Sequence, residues 1–237
     1  MSTQLNRQIE KAAEWIAASR HLVAFTGAGI STDSGLPDFR GPEGVWTRRD
    51  AGLPPPKWGK PASRIRPNAS HLALVELERL GKLRFLISQN VDNLHLASGF
   101  PSEKLAELHG NGKLMRCLGC DSRYSLDQVG WDRGVWGEGY RTQRPLRGQP
   151  ACLACKGRLI SSVVNFGDPL PTREFERSFA ESEQCDVFFA IGSSLVVSPA
   201  NEMPRLALEV GARLILLNRG ETPFDELTHL RIDAGIG

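Results

Sequence analysis

The sequence predicts an α/β fold, an open and largely parallel sheet with a small metal-bound module inserted in it. Three observations carry that expectation. Short apolar runs recur along the chain and end on glycine or polar residues. Helical patterns separate several of them, and two C-x-x-C pairs fall in one stretch that breaks the rhythm. A chain of 237 residues is long enough for one sizeable core with a small satellite domain.

The elements follow in order. Ile9, Ala12, Ala13 and Ile16 fall at helical spacing, which predicts an opening helix to about Ala18. Residues 21–26 (HLVAFT) form an apolar run that enters Gly27-Ala28-Gly29 and reads as a buried strand before a glycine turn. Further runs lie at 83–88 (LRFLIS), 163–166 (VVNF), 186–192 (DVFFAIG) and 213–218 (RLILLN). They lack strict alternation, as expected of strands covered on both faces. Helical patterns occupy 71–80, 172–183 and 200–211. Residues 41–67, rich in proline, glycine, tryptophan and basic residues, read as a long loop with short helical pieces. Residues 111–161 carry both cysteine pairs and read as the inserted module.

Composition narrows the function classes. The chain is 41% hydrophobic and 24% charged with a net charge of +2, ordinary for a globular protein and too small to argue for nucleic acid or membrane. Basic residues between Arg133 and Arg158 read as solvated surface rather than as a docking face. No run is apolar and long enough to span a membrane, and the first twenty residues do not pattern as a secretory signal. Cys117/Cys120 and Cys152/Cys155 point to metal rather than disulfides, hence a reducing, cytoplasmic setting, or a nuclear one in a eukaryote. Two facing C-x-x-C turns supply the tetrahedral sulfur cage zinc prefers, and a closed four-cysteine site is structural rather than catalytic. Cys185 reads as a packed free thiol.

Gly27-Ala28-Gly29-Ile30-Ser31 lies between a strand and an expected helix, the context in which backbone N–H groups bind a pyrophosphate. Thr32 stands where a third glycine would complete the fingerprint, and no acidic residue follows at dehydrogenase spacing. A ligand-free tight turn is therefore the competing reading. Other polar residues converge on strand ends: Asp38-Phe39-Arg40 just after the turn, Gln89-Asn90-Val91-Asp92, Gly192-Ser193-Ser194 and Asn218-Arg219-Gly220. Carboxyl ends of strands are where open α/β sheets bind ligands. Asp38 and Asn218 as turn formers, and Gln89 as a core hydrogen-bonder, remain the local alternatives.

GAGISTDSGLPDFRG (27–41), SQNVDNLH (88–95), ELHG (107–110), the two C-x-x-C pairs, NFGDPLP (165–171), GSSLVVSPA (192–200) and LLN (216–218) together resemble the sirtuins, Sir2-like NAD-dependent protein deacylases. The resemblance spans essentially the whole chain. It implies a Rossmann-like NAD-binding domain over 1–40, 68–110 and 162–237, a cofactor-binding loop over 41–67, a small zinc-binding module over 111–161, and a cleft for NAD and an acylated lysine. By resemblance His109 is the catalytic base. Gln89 and Asn90 hold ribose hydroxyls and an ordered water, Asp92 engages the nicotinamide amide, and Phe39 covers the reactive ribose face. Arg40 steadies the loop and phosphates, and Trp46, Val91 and the residues of the glycine turn and strand ends line the NAD site. Val164, Phe166, Gly167 and Val197 are expected at the acyl-lysine, with core packing as the alternative. His21, His71, His95 and His229 read as structural.

GVWT (44–47) and residues 98–111 resemble most the class-IV-like branch, which includes nuclear sirtuins with weak deacetylase and reported mono-ADP-ribosyl transfer activity. Departures are Asp168 in FGD, where the family has FGE, and Ser193, where it has threonine. The expected partner is an acylated-lysine protein or peptide, the expected assembly a monomer, and the cofactors NAD and one structural Zn2+. Protein mono-ADP-ribosylation or NAD hydrolysis at the same site is the nearest alternative. A zinc-ribbon nucleic-acid binder is the remote one.

Overall fold

The computed structural model describes residues 3–236. Helix α1 (Thr3–Ala18) leads into β1 (Leu22–Thr26), whose five residues are all buried. Next come α2 (Val45–Asp50), α3 (Ala69–Arg79), β2 (Leu83–Ser88), α4 (Leu94–Ala97) and β3 (Leu105–Glu107). Asn68 starts α3 by accepting from the backbone N–H groups of Ser70 and His71, and the His71 ring returns to Asn68. That capping box satisfies amides a helix start leaves open. Then follow β4 (Leu114–Cys117), β5 (Arg123–Ser125), α5 (Leu126–Val129), α6 (Arg133–Trp136), β6 (Leu159–Ser161), α7 (Thr172–Gln184), β7 (Val187–Ile191), α8 (Glu202–Glu209), β8 (Arg213–Leu217) and β9 (Leu230–Ile232).

The large sheet has strand order β3-β2-β1-β7-β8-β9. β1 pairs in parallel with β2 and β7, β7 with β8, and β8 with β9. Val23 is opposite Phe85 on one side and Phe188 on the other, and all three are buried. The α/β expectation is met. A second sheet, β5-β4-β6, is antiparallel.

The chain divides into two compact units. The first comprises residues 1–89, 94–106 and 177–237, and the second residues 90–93 and 107–176. Leu22, Ala24, Ile30, Leu83, Leu86, Val187 and Ile215 belong to the core of the first. The second has a small core of Met115, Cys117, Val129, Trp131, Cys152 and Leu159, so two of the four quartet cysteines are themselves core residues.

Two expectations are corrected. Residues 163–166 are not a strand: β6 ends at Ser161, and Val164 N donates to His109 O at 2.9 Å rather than to a sheet neighbour. The apolar run misled because its residues pair with no strand and Phe166 already belongs to the turn closed by Asp168 N on Asn165 O. The glycine turn opens not into an α-helix but into a 3-10 stretch, Ala28–Ser34, closed by Gly35 at φ +99°. The short edge strands β3 and β9, three residues each, carry too little pattern to be read from sequence.

Leu86 is fully buried in β2. Leu86→Ala is expected to lower unfolding free energy by about 2–5 kcal/mol, read as a lower denaturation midpoint in urea at unchanged slope.

Candidate functional site

From β1 the chain proceeds outward through β2 and β3 on one side, while β7, β8 and β9 extend on the other. The strand order therefore reverses between β1 and β7. Open α/β sheets bind ligands outside the strand ends at such a point, and the glycine turn sits there. Gly27 N donates to Ile191 O at 3.0 Å and Gly29 N to Gly192 O at 2.9 Å. A Cβ on Gly27 would lie 2.6 Å from Gly192 O, and one on Gly29 2.7 Å from Gly192 Cα. The glycines are thus required by close approach of the turn to residues 192–193, before any phosphate is considered.

Several expected NAD residues meet in this unit. Gln89 Nε2 donates to Ser193 Oγ at 2.7 Å, and Leu195 N donates to the same oxygen at 3.2 Å. Gly192 N donates to Leu217 O, which ties the GSS segment to the end of β8 beside Asn218. Asn218 Nδ2 donates to the carbonyls of Arg219 and Gly220, which ties its amide to the loop that follows β8. The loop after the glycine turn folds on itself. Asp38 Oδ1 accepts from Gly41 N, Trp46 N donates to Phe39 O, and the Phe39 and Trp46 rings are 5.7 Å apart. Phe39 and Arg40 are exposed. Burial raises the Asp38 carboxyl above its ordinary value, offset in part by Gly41 N–H.

Beneath the turn runs a polar chain that includes His71 and His95, both structural. Asn68 Nδ2 donates to Ile30 O at 2.7 Å, and Asn68 Oδ1 meets His71 Nδ1 at 2.9 Å. The His71 and His95 rings are 5.0 Å apart, and His95 Nε2 meets Thr26 Oγ1 at 2.9 Å. Burial first, and His71 second, push His95 down to about 3. His21 pairs with Glu181, and His229 Nδ1 accepts from Leu214 N, both structural as expected.

The second unit holds Asn90, Val91, Asp92 and His109 together. Gly112 N donates to Val91 O at 2.8 Å, and Asn111 Nδ2 donates to Asn93 Oδ1 at 2.9 Å. His109 is half-buried in the turn between β3 and β4; Asn90 is buried and Asp92 half-buried. Val164 is half-buried, whereas Phe166 is 81% exposed, which excludes core packing for its ring. Asp168 Oδ2 accepts from Asn165 N and Asp168 N donates to Asn165 O, so the shortened acid closes its own turn. In the first unit Val197 is half-buried. Sequence reasoning missed Glu107, Asn111, Arg123 and Glu174, which surround the His109 turn. Glu107 and Glu174 fall in stretches read as the NAD-binding domain, Asn111 and Arg123 in the inserted module, and no local pattern joins them.

The four quartet sulfurs lie within 4.8 Å of one another, with Cys117 and Cys155 3.4 Å apart and Cys120 and Cys152 3.6 Å apart. Tetrahedral Zn–S bonds of about 2.3 Å set sulfurs roughly 3.8 Å apart, so the quartet fits zinc. Gly119 N donates to Cys117 Sγ, Gly157 N to Cys155 Sγ, and Tyr124 Oη lies 3.3 Å from Cys152 Sγ, contacts that orient thiolates. All four positions of the site are protein sulfur, so zinc here supplies cohesion rather than chemistry.

A glycine turn at the reversal of a parallel sheet, in one chain with a four-cysteine zinc unit, defines a dinucleotide-using α/β protein. The Sir2 family profile matches residues 57–199, and the chain belongs to the Sir2 family, the sirtuins. It is 39% identical over 256 aligned positions to NAD-dependent protein deacetylase 1 of Bradyrhizobium diazoefficiens, covering 100% of this chain and 95% of that protein. It is 41% identical to NAD-dependent protein deacetylase 1 of Pyrobaculum aerophilum, covering 92% and 86%. A Sir2 structure with p53 peptide and NAD+ superposes with a TM-score of 0.71 at 31% identity, covering 96% of this chain and 93% of that one.

Two outcomes follow from this geometry. The purified chain is expected to carry one zinc, lost in Cys152→Ser, as measured by plasma emission spectrometry of protein and dialysate. His95 binds its proton less readily folded than unfolded, so its contribution to stability is full above pH ~6.5 and is lost as pH falls toward 3. His95→Gln is expected to flatten the dependence of unfolding free energy on pH across that window.

Proposed function

We propose that this chain removes acyl groups from protein lysines at the expense of NAD, giving nicotinamide, free lysine and O-acyl-ADP-ribose. The observation that carries the reading is the joining of His109 to the 90–93 loop through Asn111 and Gly112, in a chain whose glycine turn occupies the sheet's reversal point. The acyl carbonyl oxygen of lysine bonds to the ribose anomeric carbon as the nicotinamide bond breaks. Holding both reactants is the larger part of the work. The glycine turn and Ser193 hold the phosphates by N–H and O–H donation. Because Ser193 Oγ already accepts two hydrogen bonds, its remaining capacity is to donate. Gln89 and Asn90 hold ribose hydroxyls and Asp92 the nicotinamide amide. Phe39, seated on Trp46, keeps water from the cationic sugar.

His109 then takes a proton from the ribose hydroxyl, whose oxygen bonds to the imidate carbon. The ordered water held by Gln89 and Asn90 adds to that carbon as its bond to the lysine nitrogen breaks, which frees lysine and leaves the acyl group on the ribose oxygen. An imidazole suits the proton transfer because it titrates near neutrality. The exposed Phe166 ring, with Val164, Gly167 and Val197, contacts the acyl-lysine stem. Main-chain pairing along 163–167 asks little of the substrate's sequence. We further assign the chain to the class-IV-like branch on GVWT and residues 98–111, and take the protein to act as a monomer in a reducing compartment.

Mass spectrometry of products from NAD with acetylated and long-chain-acylated peptides tests the reading. O-acyl-ADP-ribose is expected in step with deacylated peptide, and His109→Ala is expected to lose it by about 10²–10⁴-fold, the usual worth of a general base. NAD consumed without deacylated peptide, or ADP-ribose attached to protein, would instead establish hydrolysis or transfer.

A further inference from the structure

The His109 turn is fixed by groups that touch no substrate in the mechanism above. Glu107 closes β3 with its side chain 3% exposed. Its Oε1 accepts from Asn111 Nδ2 at 2.7 Å and its Oε2 from Arg123 Nη1 at 2.9 Å. The same Asn111 carboxamide donates to Asn93 Oδ1, and Asn111 N donates to Ser162 Oγ at 3.2 Å. One residue thus joins both flanks of the turn to the loop carrying Asn90 and Asp92. Gly110, between His109 and Asn111, has φ +78°, and a Cβ there would lie 1.7 Å from Ser162 O. No side chain fits at residue 110 while the turn stays packed on Ser162. A buried carboxylate costs stability that a well-packed apolar pair would not, so its presence calls for a role beyond cohesion.

We propose that Glu107 and Asn111 are positioning residues for deacylation, a buried carboxylate–carboxamide pair that sets the His109 imidazole against the 90–93 loop. The inference rests on His109 being the base.

Charged groups face Glu107 from every element around it. Arg123 comes from β5, Arg116 from β4, Asp121 from the turn after β4, and Arg173 and Glu174 from α7. Arg116 is engaged by Asp121 at 2.8 Å, and Arg123 lies 3.7 Å from Glu174, so two carboxylates share one guanidinium. Burial raises Glu107 to about 7, with Arg123 and Asn111 pulling down and Glu174 pushing up. The ionised carboxylate holds both donors by charge-assisted bonds, and protonation weakens them. Positioning is therefore complete above neutrality and fades as pH falls through about 7.

The test measures kcat and peptide KM against pH for the zinc-bound full chain, Glu107→Gln and Asn111→Ala, with His109→Ala alongside. In the wild type kcat is expected to lose an additional factor of about ten across an inflection near pH 7, on top of the acid limb of the catalytic base. In Glu107→Gln that inflection is absent. At pH ~8.5 kcat drops about tenfold with peptide KM within about twofold, as for a misplaced catalytic group. Asn111→Ala lowers kcat similarly, and the double variant is no worse than the poorer single one, because the pair acts as a unit. Zinc content and melting temperature, measured on each variant, separate these effects from misfolding. A wild-type acid limb and kcat in Glu107→Gln, or losses seen only as raised KM or lost zinc, overturn the proposal. Deacylation surviving in His109→Ala overturns the base assignment instead. An inactive His109→Ala beside wild-type behaviour in both other variants leaves that assignment standing and removes this one alone.

Discussion

Everything in the first unit depends on how closely the backbone of the glycine turn approaches Gly192 and Ser193. Hydrogen bonds from Gly27 N to Ile191 O and Gly29 N to Gly192 O lock the end of β1 to the end of β7 where the strand order reverses. No side chain fits at residues 27 or 29 without displacing that contact. The approach fixes where the remaining turn amides point, and it brings Ser193 within reach of Gln89. The polar chain from Asn68 through His71 and His95 to Thr26 supports the turn from below. Because burial holds His95 neutral, that ring adds no charge under the turn, whose open amides favour an anion.

The second unit meets a different constraint. Its core is small, with Cys117 and Cys152 among the few buried groups, so the site that holds metal is continuous with the packing. A bound ion replaces the apolar surface that so short a segment cannot bury, as metal binding and folding are one event in small domains. The unit carries the His109 turn and the 90–93 loop as well as the sulfurs, so local order in each bears on the others through β4, which runs from the Asn111 turn to Cys117.

Much of this was legible in the residues themselves. Two C-x-x-C pairs announce their own geometry, and the buried runs at β1, β2, β7 and β8 are long enough to show that both faces are covered. The polar residues at their ends were legible because a parallel sheet collects them on one edge. What escaped notice has physical reasons. VVNF satisfies strand composition, but Val164 spends its amide on His109 O, a partner no local pattern discloses. Strands of three residues, such as β3 and β9, are shorter than any period. Glu107 and Arg123 are sixteen residues apart and meet only through tertiary folding, and a lone glutamate in sequence looks like surface. The need for glycine at 29 was anticipated, yet its immediate reason is Gly192 rather than a ligand.

Cys185 stands apart from the other thiols. It is buried, its sulfur donates to Ser182 O, and burial beside Asp186 pushes its acidity out to about 12. The remaining cysteines form a quartet in which Cys120 and Cys155 face solvent. Alkylating dyes consume thiolate, and at neutral pH the lone thiol offers almost none. Thiol accessible in the native protein therefore belongs to the solvent-facing quartet sulfurs of Cys120 and Cys155 rather than to Cys185.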